Sequence, residues 1–261
     1  MKKSNFYYLF AFLLFLNFSA RAQDFALGAR GGFSIPNLSA GANNSNPLNT
    51  GYSSRLGADA GIFAEFKFSD LFSLEPMAEY SSQGGKKDGL QAFTTPNQVA
   101  AGYQAQGASA PPYLYANYNS EAKLNYLMVP VLAKFGWNFS KTSPWGIYVD
   151  AGPFVGFLLS AHQVTTGSSP FYADPAGQQP LPYGTQSFNA NTDIKDQLHT
   201  VNLGAEANIG LRYKLGSSCI FIEGGGNYGF LNIQQGTANG KNETGAATTD
   251  IGYAYWFGKT K

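Results

Sequence analysis

Apolar and polar positions alternate strictly through the stretch GADAGIFAEFKFSDLFSLEPMAEYSSQGG, which begins at Gly57. Leu56, Ala58, Ala60, Ile62, Ala64, Phe66 and Phe68 form one set; Arg55, Gly57, Asp59, Gly61, Glu65 and Lys67 form the other. A period of two belongs to a strand with two unlike faces. Ser69-Asp70 supplies a tight turn. The return arm sets Phe72, Leu74, Pro76, Ala78 and Tyr80 against Ser73, Glu75, Met77, Glu79 and Ser81. Each arm holds the roughly 9–11 residues that a tilted strand needs to cross a bilayer. The same alternation recurs from Phe25 to Ile35, in AKLNYLMVPVLAKFGWN, in WGIYVDAGPFVGFLLSA, from Val201 to Tyr213, from Ile220 to Phe230 and from Asp250 to Phe257. That makes eight strands. Long polar stretches follow the first, third, fifth and seventh, whereas short turns follow the second, fourth and sixth. Residues 82–120 and 162–197 hold no period and read as loops. Pro130 and Pro153 fall inside strands, and Pro130, which gives the ladder no donor, predicts a bulge or a local irregularity.

A meander with short turns at one end and long loops at the other predicts an all-β fold. The expectation is an eight-stranded antiparallel up-and-down transmembrane β-barrel with long extracellular loops and both termini on the periplasmic side. Closure satisfies every backbone group without water. Composition agrees with this reading: charged residues are 13%, aromatics 15%, and glycine is abundant at 31 of 261. A soluble lipocalin-like binder has the same strand count, with its apolar faces turned inward around a ligand. It stays open at this point.

The first residues read as a secretory signal peptide over residues 1–22. Lys2 and Lys3 precede the apolar run from Phe6 to Phe18, and Ala20-Arg21-Ala22 is a small-x-small cleavage pattern. The barrel domain is then expected over 23–258, with a short tail over 259–261. Removing Lys2, Lys3 and Arg21 with the leader leaves 14 basic residues against 16 acidic ones, which does not suit a nucleic-acid binder. Cys219 is the only cysteine, so an internal disulfide framework is excluded, and it reads as a small apolar side chain.

Four pieces carry a resemblance: ARGGFSIPNLS, FSLEPMAEYSSQGGK, LNYLMVPVLAKF and AGPFVGFLLSA with the long stretch after it. In order and spacing they resemble the PorT-like outer-membrane β-barrel family of the Bacteroidota. The resemblance spans about Asp24 to Phe257. It implies an eight-stranded barrel in a Gram-negative outer membrane, surrounded by lipid and lipopolysaccharide, and no agreed activity. The namesake's link to secretion finds no matching residue here, and Met128 stands where similar proteins often carry an acidic side chain. The last strand, closing on Tyr255 and Phe257, looks like the aromatic-ended signal read by the barrel-insertion machinery.

If the apolar faces meet lipid, the other faces turn charge inward. Arg30, Glu65, Glu75, Lys134, Asp150, Arg212 and Glu223 count to similar depths from the short turns. Three cations and four carboxylates there nearly cancel. They are expected to form a structural polar cluster in which Arg30 and Arg212 each bridge carboxylates from neighbouring strands. A narrow ion or proton path is the functional alternative. No catalytic, cofactor or metal site is expected: His162 and His199 lack a third ligand, and nothing selects His199 with Ser160 or Thr200 as a hydrolase. Gly224-Gly225-Gly226 lies inside a strand and is no phosphate loop. Tyr103, Tyr113, Tyr115 and Tyr118 either fold over the mouth as a lid or form a contact patch for a protein or glycan partner. The expectation is thus a non-enzymatic outer-membrane protein that is structural or binds through its outer loops. Transport or a secretion-associated role is the alternative.

Overall fold

In the computed structural model the described residues are 24–40, 46–236 and 240–258. The expected leader over 1–22 and tail over 259–261 lie outside them. Eight antiparallel strands close into a ring: β1 (Asp24–Ala40), β2 (Gly57–Lys67), β3 (Phe72–Lys87), β6 (Asn119–Asn138), β7 (Trp145–Thr166), β11 (Val201–Leu215), β12 (Ser218–Gly229) and β13 (Asn242–Phe257). Each pairs with the next along the chain, and β13 returns to β1 with Phe257 opposite Phe25. The first and last strands therefore end together, at the short-turn end. The strands are long because the apolar belt covers only part of each. On β3 the outward apolar run ends at Tyr80, and the remainder, Ser81 to Lys87, extends past the belt at the long-loop end.

Parity holds throughout the belt. Ile62, Val131, Val149, Ile209 and Ile222 all point outward and are exposed, as are Leu27, Phe33, Leu203 and Ile251. An apolar outer wall of this kind needs lipid against it, which excludes the soluble binder with an apolar lining. At the short-turn end aromatic side chains gather into a girdle, with Phe25 stacked on Phe257 at 5.1 Å, Phe72 against Phe135 at 5.2 Å and Trp145 edge-on to Tyr213 at 4.8 Å. Such a ring suits the level of the lipid headgroups.

The inward side is packed by pairing large with small. Four inward aromatic side chains each lie directly opposite an inward glycine on the adjacent strand: Phe63 and Gly28, Tyr148 and Gly210, Phe221 and Gly252, Phe154 and Gly204. A Cβ on any of these glycines would come within 2.1–2.4 Å of the facing ring. Each ring is thus laid flat over its neighbour's backbone, which fills a narrow bore without splaying the wall.

The long stretches depart from the expectation of loops. Between β3 and β6 lie β4 (Leu90–Thr94), α1 (Asn97–Ala105) and β5 (Tyr113–Asn117). Between β7 and β11 lie β8 (Ser168–Tyr172), β9 (Pro180–Ser187), β10 (Ala190–Asp193) and a short 3-10 turn. β10 adds to the protruding part of β7, while β4, β5, β8 and β9 make a second, four-stranded sheet above the mouth. The segments are only four to eight residues long, too short for a period of two to stand out from the polar stretches around them. The barrel strands also overrun their predicted ends: β1 continues past Pro36-Asn37 to Ala40, where it meets Asn242 of β13. A register shift does occur in β6, but between Asn125 and Tyr126; Pro130 keeps its place opposite Phe154.

Candidate functional site

Two regions gather chemistry-bearing side chains: the bore and the mouth above it. In the bore, Arg30 reaches from β1 to carboxylates on three other strands. Its Nη1 donates to Glu223 Oε1 at 2.7 Å and its Nη2 to Glu206 Oε1 at 2.7 Å and to Glu79 Oε2. Asn208 Nδ2 donates to Glu206 Oε1 and to Asp150 Oδ1, both at 2.9 Å, and so brings Asp150 into the same network. Tyr148 donates from its hydroxyl to Glu223 Oε2 at 2.6 Å. Nearer the short turns, Lys134 Nζ donates to Glu75 Oε2 at 2.7 Å and stands 3.4 Å from Glu65 Oε2. Its ammonium also lies 4.2 Å from the centre of the Tyr148 ring. That one tyrosine joins the two groups, through its face to Lys134 and its hydroxyl to Glu223.

The structure therefore brings Arg30, Glu65, Glu75, Lys134, Asp150 and Glu223 into linked contact, but not Arg212. The Arg212 guanidinium sits at the short-turn rim over Gly136 and Gly146, whose added Cβ atoms would come within 2.9–3.0 Å of it. Its Nη2 donates to Asn138 Oδ1 at 3.3 Å, and among the described residues it forms no ion pair. Two partners of Arg30, Glu79 and Glu206, fell outside the depth expected of the cluster. Barrel strands tilt and stagger, so equal counts from the turns are not equal heights around the wall. Alternation along the strands places both on the inward faces; only their height is hidden from it. The expected near-cancellation of charge fails with them: Arg30 and Lys134 face Asp59, Glu65, Glu75, Glu79, Asp150, Glu206, Glu223 and Asp250, all buried.

Apolar clusters pack the bore around and above this network, the lower one enclosing the Lys134 ammonium, which lies 5.8 Å from the Phe63 ring centre and 5.6 Å from that of Phe221. Ala26, Phe63, Met77, Leu132, Cys219, Phe221 and Ala254 pack at the short-turn end, and Leu38, Leu124, Tyr126, Met128, Phe154, Leu158, Leu198 and Ile233 pack towards the mouth. Met128, opposite Glu79 in register, belongs to the upper layer.

Above that layer is a cavity of about 220 Å³. Its floor is Leu38, Leu124, Leu198 and Ile233, and its walls include Asn49, Tyr52, Ser120 and Gln163. The second sheet covers it through Ala92, Phe93 and Thr94 of β4. The cover is held by aromatic packing, with Tyr118 stacked on Phe188 at 4.3 Å and Phe93 against Phe171 at 5.1 Å. Of the four loop tyrosines, Tyr118 is buried in this lid, whereas Tyr103, Tyr113 and Tyr115 stay half-buried at its surface. Lys87, at the protruding tip of β3, is only 7% exposed and lines the same cavity. Its Nζ donates to the Leu48 carbonyl at 2.5 Å and lies 4.4 Å from the Tyr52 ring centre. Burial pulls the Lys87 ammonium down to about 8 and pushes the phenols of Tyr52 and Tyr118 up to about 12.

His162 sits half-buried within β7, between Lys123 of β6 and Asp193 of β10, and His199 is exposed. Ser160 Oγ accepts from Asn125 Nδ2 at 3.0 Å and makes no contact with His199 among the described residues. No three of the described His, Cys, Asp and Glu side chains are arranged to hold a metal ion. A shallow depression of about 510 Å³ on the outer wall, along Ala151, Pro153, Ala205 and Ala207, is the space that small side chains leave on the lipid face.

The sequence model of the outer membrane protein beta-barrel domain matches residues 19–235. No curated protein matches the chain. Among solved structures, the chain is similar to Ail, the attachment invasion locus protein of Yersinia pestis, with 10% identity over 89% of this chain and 98% of that one and a TM-score of 0.36. It is similar to the outer membrane protein OprG from Pseudomonas aeruginosa, with 14% identity over 91% and 97% and a TM-score of 0.38. A major outer membrane protein from Thermus thermophilus gives 14% identity over 90% and 98%, with a TM-score of 0.39.

Proposed function

The chain belongs to the outer membrane protein beta-barrel domain family, and on that premise we propose that it is a non-enzymatic, PorT-like barrel with a closed bore that binds through its outer dome. The family puts it in the outer membrane, with lipid and lipopolysaccharide around its belt. A cleaved leader over residues 1–22 and insertion by the barrel-assembly machinery complete this reading.

One observation carries it: side chains from across the ring meet inside the bore. The Arg30 network spans the lumen from β1 to β3, β11 and β12, and apolar clusters pack the bore around the Lys134 group and towards the mouth. An eight-stranded barrel has an interior just wide enough for its own side chains. The cluster of Arg30, Glu65, Glu75, Lys134, Asp150 and Glu223 is on this reading a structural tie between strands. The ordered second sheet then offers the binding surface, to a protein or glycan partner or to a smaller ligand.

Planar-bilayer recording of the refolded protein tests the closed bore. Baseline current without unit steps is expected, and steady channel events from the wild-type chain would overturn the reading. Location is checked separately: the protein should sediment with outer membranes and shift on heating in a gel, and release by a carbonate wash would refute it.

A further inference from the structure

We propose that the cavity beneath the outer dome is a binding site for a small amphipathic organic carboxylate, held by the Lys87 ammonium and the Asn49 carboxamide. This deepens the reading of the dome as the binding face, and it rests on that reading.

The first support is an uncompensated cation. Lys87 is buried beyond the lipid belt, and among the described residues no carboxylate pairs with it. Its neighbour Lys86 has Asp88 at 3.5 Å, and Arg55 has Glu121 at 2.7 Å, so acidic partners are present along this rim. They go to the exposed or rim cations and not to the one inside the cavity. A buried ammonium commonly finds an opposite charge, since desolvating it alone is costly. Here it has one carbonyl and one ring face, leaving donor capacity turned towards the cavity.

The second support is the set of groups beside it. Asn49 is buried and accepts at Oδ1 from Asn242 Nδ2 at 3.0 Å. Its Nδ2 is a buried donor without a partner among the described residues. Two donors, one charged, suit the two oxygens of a carboxylate. The floor and the cover are apolar: Leu38, Leu124 and Ile233 below and Phe93 above. Such a division takes a ligand with one anionic end and one apolar body.

Size narrows the class. At about 220 Å³ the cavity falls below the usual ~300–1,000 Å³ of drug-sized sites, so the ligand is on the scale of a single aromatic ring or a short acyl chain.

The charge logic gives a pH dependence. The titratable groups facing the cavity are Lys87, Tyr52 and Tyr118, and both tyrosines stay neutral well above the range in which free Lys87 loses its proton. Affinity for a carboxylate should therefore hold near pH 7 and fall as pH rises through about 8 and beyond.

The experiment uses the full chain in non-ionic detergent with 4-fluorobenzoate and its uncharged counterpart 4-fluorobenzamide, followed by fluorine NMR line broadening. Saturable broadening of the benzoate is expected, at least about tenfold tighter than the benzamide and about tenfold weaker in Lys87→Met. A retained heat shift in gels shows that Lys87→Met still folds. If that variant fails to fold, the benzoate-to-benzamide ratio and its pH profile on the wild-type chain decide alone. No saturable binding, equal binding of the two probes, or unchanged binding by folded Lys87→Met overturns the inference. Those outcomes leave the closed bore untouched, because that reading stands or falls on conductance.

Discussion

At the scale of the residue, the two interior arginines separate what alternation can reveal from what it cannot. Parity told correctly that Arg30 and Arg212 point inward. Height was not legible, because stagger around the ring lifts Glu79 and Glu206 to Arg30 and leaves Arg212 at the rim. Their energetics should differ accordingly. Arg30→Gln strands three buried carboxylates and should destabilise by ~3–5 kcal/mol, whereas Arg212→Gln loses one long contact to Asn138 and should cost under about 1 kcal/mol. Urea unfolding of the refolded barrel in detergent reads both, and equal losses would refute the network. Lys134 and Glu75 give the complementary case. The double variant Lys134→Met/Glu75→Leu should cost less than its two single variants combined, since each single change leaves a buried charge alone. Lys87 adds a dependence on pH. Its folded pKa lies below the unfolded value, so between about pH 8 and 10 the unfolded chain binds more protons and stability rises with pH. Above that window the raised phenols of Tyr52 and Tyr118 act the other way, because the unfolded tyrosines lose protons first. Lys87→Met should flatten the rise between pH 8 and 10.

At the scale of the element, the strand is a wall with two chemistries, and the sequence announced only one of them. Outward positions alternate as Leu, Ile, Val and Phe, and that pattern located all eight ring strands. The inward side looked like a run of glycines and scattered aromatics. Its order appears only across strands, where Phe63 meets Gly28, Tyr148 meets Gly210, Phe221 meets Gly252 and Phe154 meets Gly204. A partner two strands' length away in sequence leaves no local period. Glycine-to-alanine changes separate the two faces. Gly210→Ala and Gly252→Ala would place a methyl carbon 2.1 Å from the facing ring and should each cost ~1–3 kcal/mol by overpacking. Gly31→Ala, outward and with nothing nearer than 3.7 Å, should be nearly neutral. Thermal shift of the gel-resolved folded form distinguishes them. On the lipid face, Ile62→Arg or Ile209→Arg should cost ~2–4 kcal/mol near mid-bilayer, and spin labels there should respond to lipid-soluble quenchers and not to water-soluble ones.

At the scale of the whole molecule, closure is achieved twice, by different elements. The bore is filled by the ring strands' own side chains, and the mouth is covered by a sheet drawn from two long insertions. The insertions were legible as long polar stretches but not as a sheet: β4 pairs with β5 and β8 with β9 inside their own insertions over four or five residues, too few to show a period, and the two hairpins join only where Tyr115 of β5 meets Tyr172 of β8. The register shows how removable one insertion is. Lys87 of β3 lies opposite Ser120 of β6, with Lys86 opposite Glu121, so the hairpin is already closed where the insertion begins. Replacing residues 88–119 by Asn-Gly should leave a two-residue turn of the kind antiparallel strands favour. The shortened chain should keep its heat shift, because none of the Arg30 or Lys134 network lies in the removed segment. It should also remain silent in planar bilayers, because the plug lies below the dome. What it should lose is binding of 4-fluorobenzoate, since Phe93 and the rest of the β4 cover go with the segment. Unit conductance in this variant alone would show that the dome, and not the filled bore, is the seal.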